Sequence, residues 1–250
     1  MLSLGVSLKM YFGHASTLDW CRAVAEIARH HQAIRTGLAE LFVLPSFPSI
    51  MGVAEIFAGT PVRFGAQDLF WEDSGAFTGE VSGQQLRELG CTYVEVGHAE
   101  RRRIFGEDAE IVARKTAAAL RNGLVPVLCV GEPERGPATE AAAWCRREVE
   151  AALGYASGPV TVAYEPHWAI GATEPAPDEH IAEVCAALKQ DLPGDVRVIY
   201  GGSAGPGLVT RLGSAVDGLF LGRFAHDPAA VATIVDEALA LAKGGTWQSA

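Results

Sequence analysis

Eight short apolar runs recur along this chain, each followed by a stretch with helix-like or polar character. The runs cover residues 2–6, 40–44, 62–66, 93–96, 125–130, 160–164, 196–200 and 218–221. Helical spacing of apolar positions follows in residues 18–35, 49–57, 83–89, 108–122, 140–153, 178–191, 207–212 and 228–242. A strand–helix repeat of this regularity implies parallel pairing through right-handed crossovers. Eight units close naturally into a (β/α)8 barrel, for which about 250 residues is typical. The expectation is therefore an α/β fold in which residues 1–250 form a single domain. An open doubly wound sheet is the competitor, but the G-x-G-x-x-G turn that would follow its first strand is absent.

Composition supports a folded, acidic protein. Hydrophobic residues make up 49% of the chain and charged residues 20%, enough for a large core and outside the range of disordered chains. A net charge of -10 argues against nonspecific binding to nucleic acid or an anionic membrane, since both need a basic face. No apolar run approaches the roughly 20 residues of a membrane span, and the first residues are too short and lack the basic leader of a signal peptide. The five cysteines (21, 91, 129, 145 and 185) include no C-x-x-C pair, so they read as reduced, mostly buried thiols in a cytoplasmic protein.

Barrels of this class build their active sites at the C-terminal ends of the strands. That rule gathers Ser7 and Lys9 after the first run, His98 and Glu100 after the fourth, Glu132 after the fifth and Glu165 after the sixth. Lysine occurs only at 9, 115, 189 and 243, which makes Lys9 informative. The sixth run ends in A-Y-E-P, placing Glu165 at the mouth of an apolar strand beside Pro166 and Trp168. Partial desolvation there would raise its pKa and its strength as a base.

Taken singly, each residue has an ordinary explanation. Lys9 would be a surface charge, His98 a satisfied structural group, Glu132 a helix-start acid, and Glu100 with Arg101 to Arg103 a salt-bridge network. Their coincidence on one rim points to chemistry. Small residues end the last three units: Gly171, then Gly201, Gly202 and Ser203, then Gly222 before Arg223. Glycine lets the backbone approach a ligand and turn N–H groups toward an anion, so these loops read as a phosphate pocket.

The segments S-L-K-M (7–10), G-A-F-T-G-E (75–80), V-G-H-A-E-R-R (96–102), C-V-G-E (129–132), A-Y-E-P-H-W-A-I-G (163–171) and Y-G-G-S (200–203) resemble the triosephosphate isomerase family, in order and over nearly the whole chain. The resemblance implies a TIM barrel that isomerises a small sugar phosphate without cofactor or metal. Glu165 would be the base that moves a proton between neighbouring carbons, and neutral His98 would polarise the carbonyl. Lys9 would supply fixed positive charge, with Glu100 holding it in place.

The segment from Pro166 to about Ala176 resembles a lid. Pro166 and Trp168 form its first hinge, Gly171 closes over the phosphate, and Tyr200 and Ser203 latch it. The loop carrying Thr78 resembles one that plugs into a neighbouring subunit, implying a homodimer.

Several positions depart from the family pattern. Ser7 stands where an Asn is usual, Ala99 where a Ser is usual, and His167 where the hinge has a small apolar residue. Ala172 to Pro175 replace the usual lid tip, and Gly222-Arg223 replaces a Gly-Gly pair, offering a guanidinium that could grip phosphate or hydroxyls. Ser7 and the Gly-Arg pair are closer to relatives acting on erythrulose phosphate.

The first reading is interconversion of dihydroxyacetone phosphate and glyceraldehyde 3-phosphate. The alternative keeps the mechanism but takes a four-carbon ketose phosphate such as L-erythrulose 1-phosphate, since a smaller Ser7 leaves room for a hydroxymethyl group. A third reading is a noncatalytic phosphate-binding relative.

Overall fold

A computed structural model describes residues 1–154, 156–192 and 196–243. The apolar runs form eight strands: β1 (Leu2–Ser7), β2 (Ala39–Leu44), β3 (Arg63–Ala66), β4 (Tyr93–Val96), β5 (Val125–Val130), β6 (Val160–Tyr164), β7 (Val196–Tyr200) and β8 (Gly218–Leu221). Each pairs in parallel with the next, and β1 pairs with β8 in the register Ser3↔Gly218 to Val6↔Leu221, closing the barrel expected from the repeat.

Side chains alternate across the strands, so each strand feeds two apolar layers. Phe42, Leu44, Tyr93, Val127, Cys129, Ala163, Ile199 and Phe220 fill the barrel interior, with Phe42 stacked on Tyr93 at 4.2 Å between ring centroids. Gly5 makes room for this packing, because a Cβ there would lie 2.2 Å from the Phe42 ring. The outward residues pack against the helices, including Val43, Val94, Leu128, Val162 and Val198. All five cysteines are free and buried, and burial pushes the thiols of Cys21 and Cys91 up to about 12.

The helices are α1 (His14–His30), α2 (Gln32–Arg35), α3 (Ile50–Phe57), α4 (Gly83–Glu88), α5 (Ala99–Phe105), α6 (Ala109–Arg121), α7 (Ala138–Leu153), α8 (Asp178–Asp191), α9 (Leu208–Leu212) and α10 (Pro228–Lys243). Three of these differ from the sequence expectation. The stretch read as one helix over 18–35 starts at His14 and breaks at His31, whose extended backbone lets its Nδ1 accept the Ala33 N–H and cap α2. Helix α7 begins at Ala138, two residues before the helical spacing expected over 140–153.

The third difference is α5, which has no counterpart in the apolar pattern. None of its residues is buried, so it has no apolar stripe to read. It is defined instead by its ends, with His98 as N-cap and Gly106 at φ 71° closing the C-terminus. No described helix is long and apolar enough to cross a membrane.

Candidate active site

Strand β1 delivers Ser7 to the rim, and the chain then turns sharply at Lys9. Among the described residues only Lys9 (φ 47°) and Ser203 (φ 56°) hold a left-handed backbone without being glycine, and both line the same cavity. Such strain costs on the order of 1–3 kcal/mol per residue and persists only where surroundings hold it. At Lys9 the holder is Gln67, whose Nε2 donates to the carbonyls of Lys9 (3.0 Å) and Leu44 (2.9 Å).

Lys9 Nζ lies 2.9 Å from Glu100 Oε1. Burial opposes the lysine's charge, but Glu165, Glu100 and Glu95 outweigh it and raise its pKa. Burial likewise opposes charge on Glu100, but the bond from Lys9, reinforced by the lysine's charge, lowers its pKa. The pair therefore stays ionised.

His98 is placed by the turn between β4 and α5. The Glu100 N–H donates to His98 Nδ1 at 3.1 Å, so in the neutral ring the proton sits on Nε2. That nitrogen lies 3.4 Å from Glu165 Oε2 and 4.0 Å from Glu95 Oε1. Glu165 follows β6, its N–H bonded to Val130 O at 2.8 Å, and its Oε2 has no hydrogen-bond partner although it is buried. A buried, unsatisfied carboxylate oxygen facing an N–H across an open cavity is an arrangement a ligand can complete. Gly201 presses on the other side, where a Cβ would lie 2.5 Å from Glu165 Oε1.

The remaining residues of the G-H-A-E-R-R segment divide their work. Arg101 joins a buried cluster with Asp68, Glu107 and Lys115. Arg102 Nε donates to Gly97 O at 2.7 Å, fixing the turn before His98. The network reading of the arginines and the rim reading of Glu100 thus both describe the structure.

Residues 166–176 run beside the cavity, which Ile170 and Gly171 line. A 3-10 turn spans His167–Ala169, and Trp168 Nε1 donates to Glu132 Oε1 at 2.8 Å. The same oxygen accepts from Tyr164 OH (3.1 Å) and lies 3.3 Å from His180 Nε2. Glu132, gathered with the rim residues from the sequence, does not line the cavity but takes these bonds instead, and His180 of α8 was not foreseen. Burial, then Arg102, hold the His167 imidazole below its usual pKa, so this hinge side chain adds no charge near neutrality.

At the far end Tyr200 OH accepts the Ala176 N–H (2.9 Å) and donates to Gly202 O (2.6 Å). Ser203 Oγ lies within donating distance of the carbonyls of Ala169 (2.9 Å) and Ala172 (3.0 Å), which share its one proton. Arg223 was expected on the phosphate side. It borders the cavity, but its Nη2 donates to the carbonyls of Gly171 (3.1 Å) and Ala172 (2.5 Å).

The structure therefore brings Ser7, Lys9, His98, Glu100, Glu165, Gly171, Ser203, Gly222 and Arg223 to one cavity. Pro166, Trp168 and Tyr200 do not line it; Trp168 bonds Glu132 and Tyr200 bonds Ala176. Thr78 is exposed in the loop before α4 and does not reach this cavity. Among the described residues no group of three or more His, Cys, Asp or Glu is arranged for a metal ion.

Sequence reasoning missed Gln67 and Glu95. Glu95 is the stronger omission, because a carboxylate in the middle of Tyr-Val-Glu-Val is visible as a charge inside an apolar run. It is 3% exposed and accepts a 2.8 Å bond from Ser7 Oγ. Burial pushes its pKa up, His98 opposes this, and Glu165 adds to it.

The family model described as triosephosphate isomerase matches residues 3–238. A protein of Pectobacterium atrosepticum named L-erythrulose-1-phosphate isomerase is 60% identical over 96% of both chains. A triosephosphate isomerase of Moorella thermoacetica is 40% identical, covering 81% of this chain and 87% of its own. Among solved structures, triosephosphate isomerase from Bartonella henselae superposes with a TM-score of 0.79 at 27% identity, over 94% of this chain and 98% of that one.

Proposed function

Since the chain belongs to the triosephosphate isomerase family and is an isomerase, we propose that it shifts a proton between adjacent carbons of L-erythrulose 1-phosphate. The observation that carries the chemistry is the convergence of Lys9, His98 and Glu165 on one cavity, with His98 Nε2 3.4 Å from Glu165 Oε2.

In such a substrate the carbonyl at C2 lies between the phosphorylated C1 and the hydroxyl-bearing C3. Glu165 takes the C3 proton, the C–H electron pair becomes the C2–C3 double bond, and negative charge moves to the carbonyl oxygen. His98 Nε2–H and the Lys9 ammonium stabilise that oxygen as charge develops. Protonation of C2 by Glu165, with proton transfer from the C3 hydroxyl to the C2 oxygen, completes the shift. With two hydrogens on C3 the product is an aldose. With a hydroxymethyl group there, as in the four-carbon substrate, it is a second ketose phosphate.

Lid contacts from Tyr200, Ser203 and Arg223 support a cavity that shuts around the intermediate and keeps water from it. The three-carbon substrate was the first expectation, and the 60% identical relative favours the four-carbon one. Steady-state rates with dihydroxyacetone phosphate and L-erythrulose 1-phosphate test the choice. A kcat/KM at least a hundredfold higher for the four-carbon ketose is expected, and an equal or higher value for the three-carbon one overturns the reading.

We also propose that residues 1–250 act as one barrel domain and that two copies pair through exposed loops. Met10 (93% exposed), Phe77 beside Thr78, Ile104 and Phe105 present apolar surface that favours burial against a partner. A cytoplasmic setting is in keeping with five unpaired thiols.

A further inference from the structure

Ser7 and Glu95 meet where no neighbouring strands bring them together. Strands β1 and β4 are not adjacent in the sheet, so the 2.8 Å bond from Ser7 Oγ to Glu95 Oε2 crosses the barrel interior. The apolar barrel filling, Cys129 included, lies on one side of it, and on the other His98 Nε2 stands 4.0 Å from Glu95 Oε1. Stability alone is poorly served by a carboxyl group there, because burying one costs free energy that a well-packed apolar side chain avoids. The proton-shift steps derived above leave Glu95 unused.

Its effect follows from counting protons and lone pairs. A serine hydroxyl has one proton to donate and two lone pairs to accept with. Glu95 takes that proton, so Ser7, which lines the cavity, faces it with lone pairs only. The other groups aimed at substrate oxygens, Lys9 Nζ and His98 Nε2–H, are donors suited to a carbonyl or an oxyanion. Ser7 is a neutral acceptor, which suits a substrate hydroxyl and disfavours a carbonyl or phosphate oxygen. A four-carbon ketose phosphate carries one more hydroxyl than a three-carbon one, on the carbon attached to the deprotonated centre.

We propose that Ser7, held as a hydrogen-bond acceptor by Glu95, recognises the terminal hydroxyl of the four-carbon substrate. Ser7 is then a specificity residue that touches substrate, and Glu95 is the positioning residue acting through it. The assignment rests on the four-carbon reading. It adds that the preference resides in the direction of one hydrogen bond as well as in space.

The test compares L-erythrulose 1-phosphate with dihydroxyacetone phosphate for the native enzyme, Ser7→Ala, Glu95→Leu and Glu95→Gln. Inhibition by inorganic phosphate is measured alongside as a probe of the opposite end of the pocket. Ser7→Ala and Glu95→Leu should each lower the four- to three-carbon ratio of kcat/KM at least tenfold, with phosphate inhibition unchanged within twofold. Glu95→Gln keeps an amide oxygen that accepts the Ser7 proton, and it should hold the ratio within threefold of native. A native enzyme without four-carbon preference overturns the underlying reading and this assignment together. A native enzyme that has the preference, alongside Ser7→Ala or Glu95→Leu variants that keep it, overturns this assignment alone. Should Glu95→Leu fail to fold, the smaller Ser7→Ala change decides by itself.

Discussion

Replacing Gly201 with alanine should move the Glu165 carboxylate without removing it. The added Cβ would lie 2.5 Å from Glu165 Oε1 and 2.6 Å from its Cγ. Ordinary contact begins near 3.4 Å, so the carboxyl end must retreat by about 1 Å, a shift of the size that costs about a hundredfold in rate when a reacting group is misplaced. That factor corresponds to about 2.7 kcal/mol of lost transition-state stabilisation. The opposing atoms belong to the end of a flexible side chain, so the fold should tolerate the change and Tm should shift little.

The assay is kcat for the preferred ketose phosphate, together with exchange of its C3 proton for solvent deuterium, which reports the base directly. Both should fall by about two orders of magnitude, while inhibition by inorganic phosphate stays near native. A kcat within threefold of native would refute the reasoning, since Glu165 would then tolerate displacement from its seat between His98 and Gly201.

Three other variants probe separate parts of the argument. Glu165→Gln keeps the shape of the side chain and removes the base, so kcat should drop about a thousandfold while a phosphorylated inhibitor binds nearly as before. An unchanged kcat would remove Glu165 from the mechanism. Arg223→Ala deletes both guanidinium bonds to the lid carbonyls. Because Arg223 is exposed, their value is discounted to about 1.4 kcal/mol, which predicts a roughly tenfold rise in KM and faster amide hydrogen exchange in residues 169–176. Unaltered exchange there would show that the lid does not depend on Arg223. Lys115→Met strips a buried ammonium from Asp68 (2.6 Å) and Glu107 (2.7 Å) and should destabilise the protein by about 3–5 kcal/mol in urea unfolding. A loss below 1 kcal/mol would mean that Arg101 alone compensates the two carboxylates.

The contrast between α5 and Glu132 shows where reading a sequence stops. Helix α5 has no buried residue, and periodicity detects only helices that hide one face. Its existence depends on the His98 cap and Gly106, which are legible once the turn is known. Glu132 looks like any acid after a strand, and only the closed barrel brings Trp168, Tyr164 and His180 to one of its oxygens and leaves it off the cavity. Arg223 teaches the same lesson from the opposite side. Its position after β8 suggested an anion ligand, whereas two carbonyls of a loop some fifty residues earlier hold it.

Strand number was legible along the chain, and parallel order and closure followed as expectations from a strand–helix unit that recurs eight times, which the β1–β8 pairing bears out. The rim residues Lys9, His98 and Glu165 were equally legible, since strand ends can be located from the same pattern. Hydrogen-bond partners across the barrel were decided only in three dimensions. The Ser7–Glu95 bond joins residues 88 positions apart on non-adjacent strands, and which lone pairs face a substrate depends on that contact. Local sequence specifies where a side chain starts, but its direction, charge and remaining capacity to bond are set by whatever the closed barrel brings within about 3 Å of it.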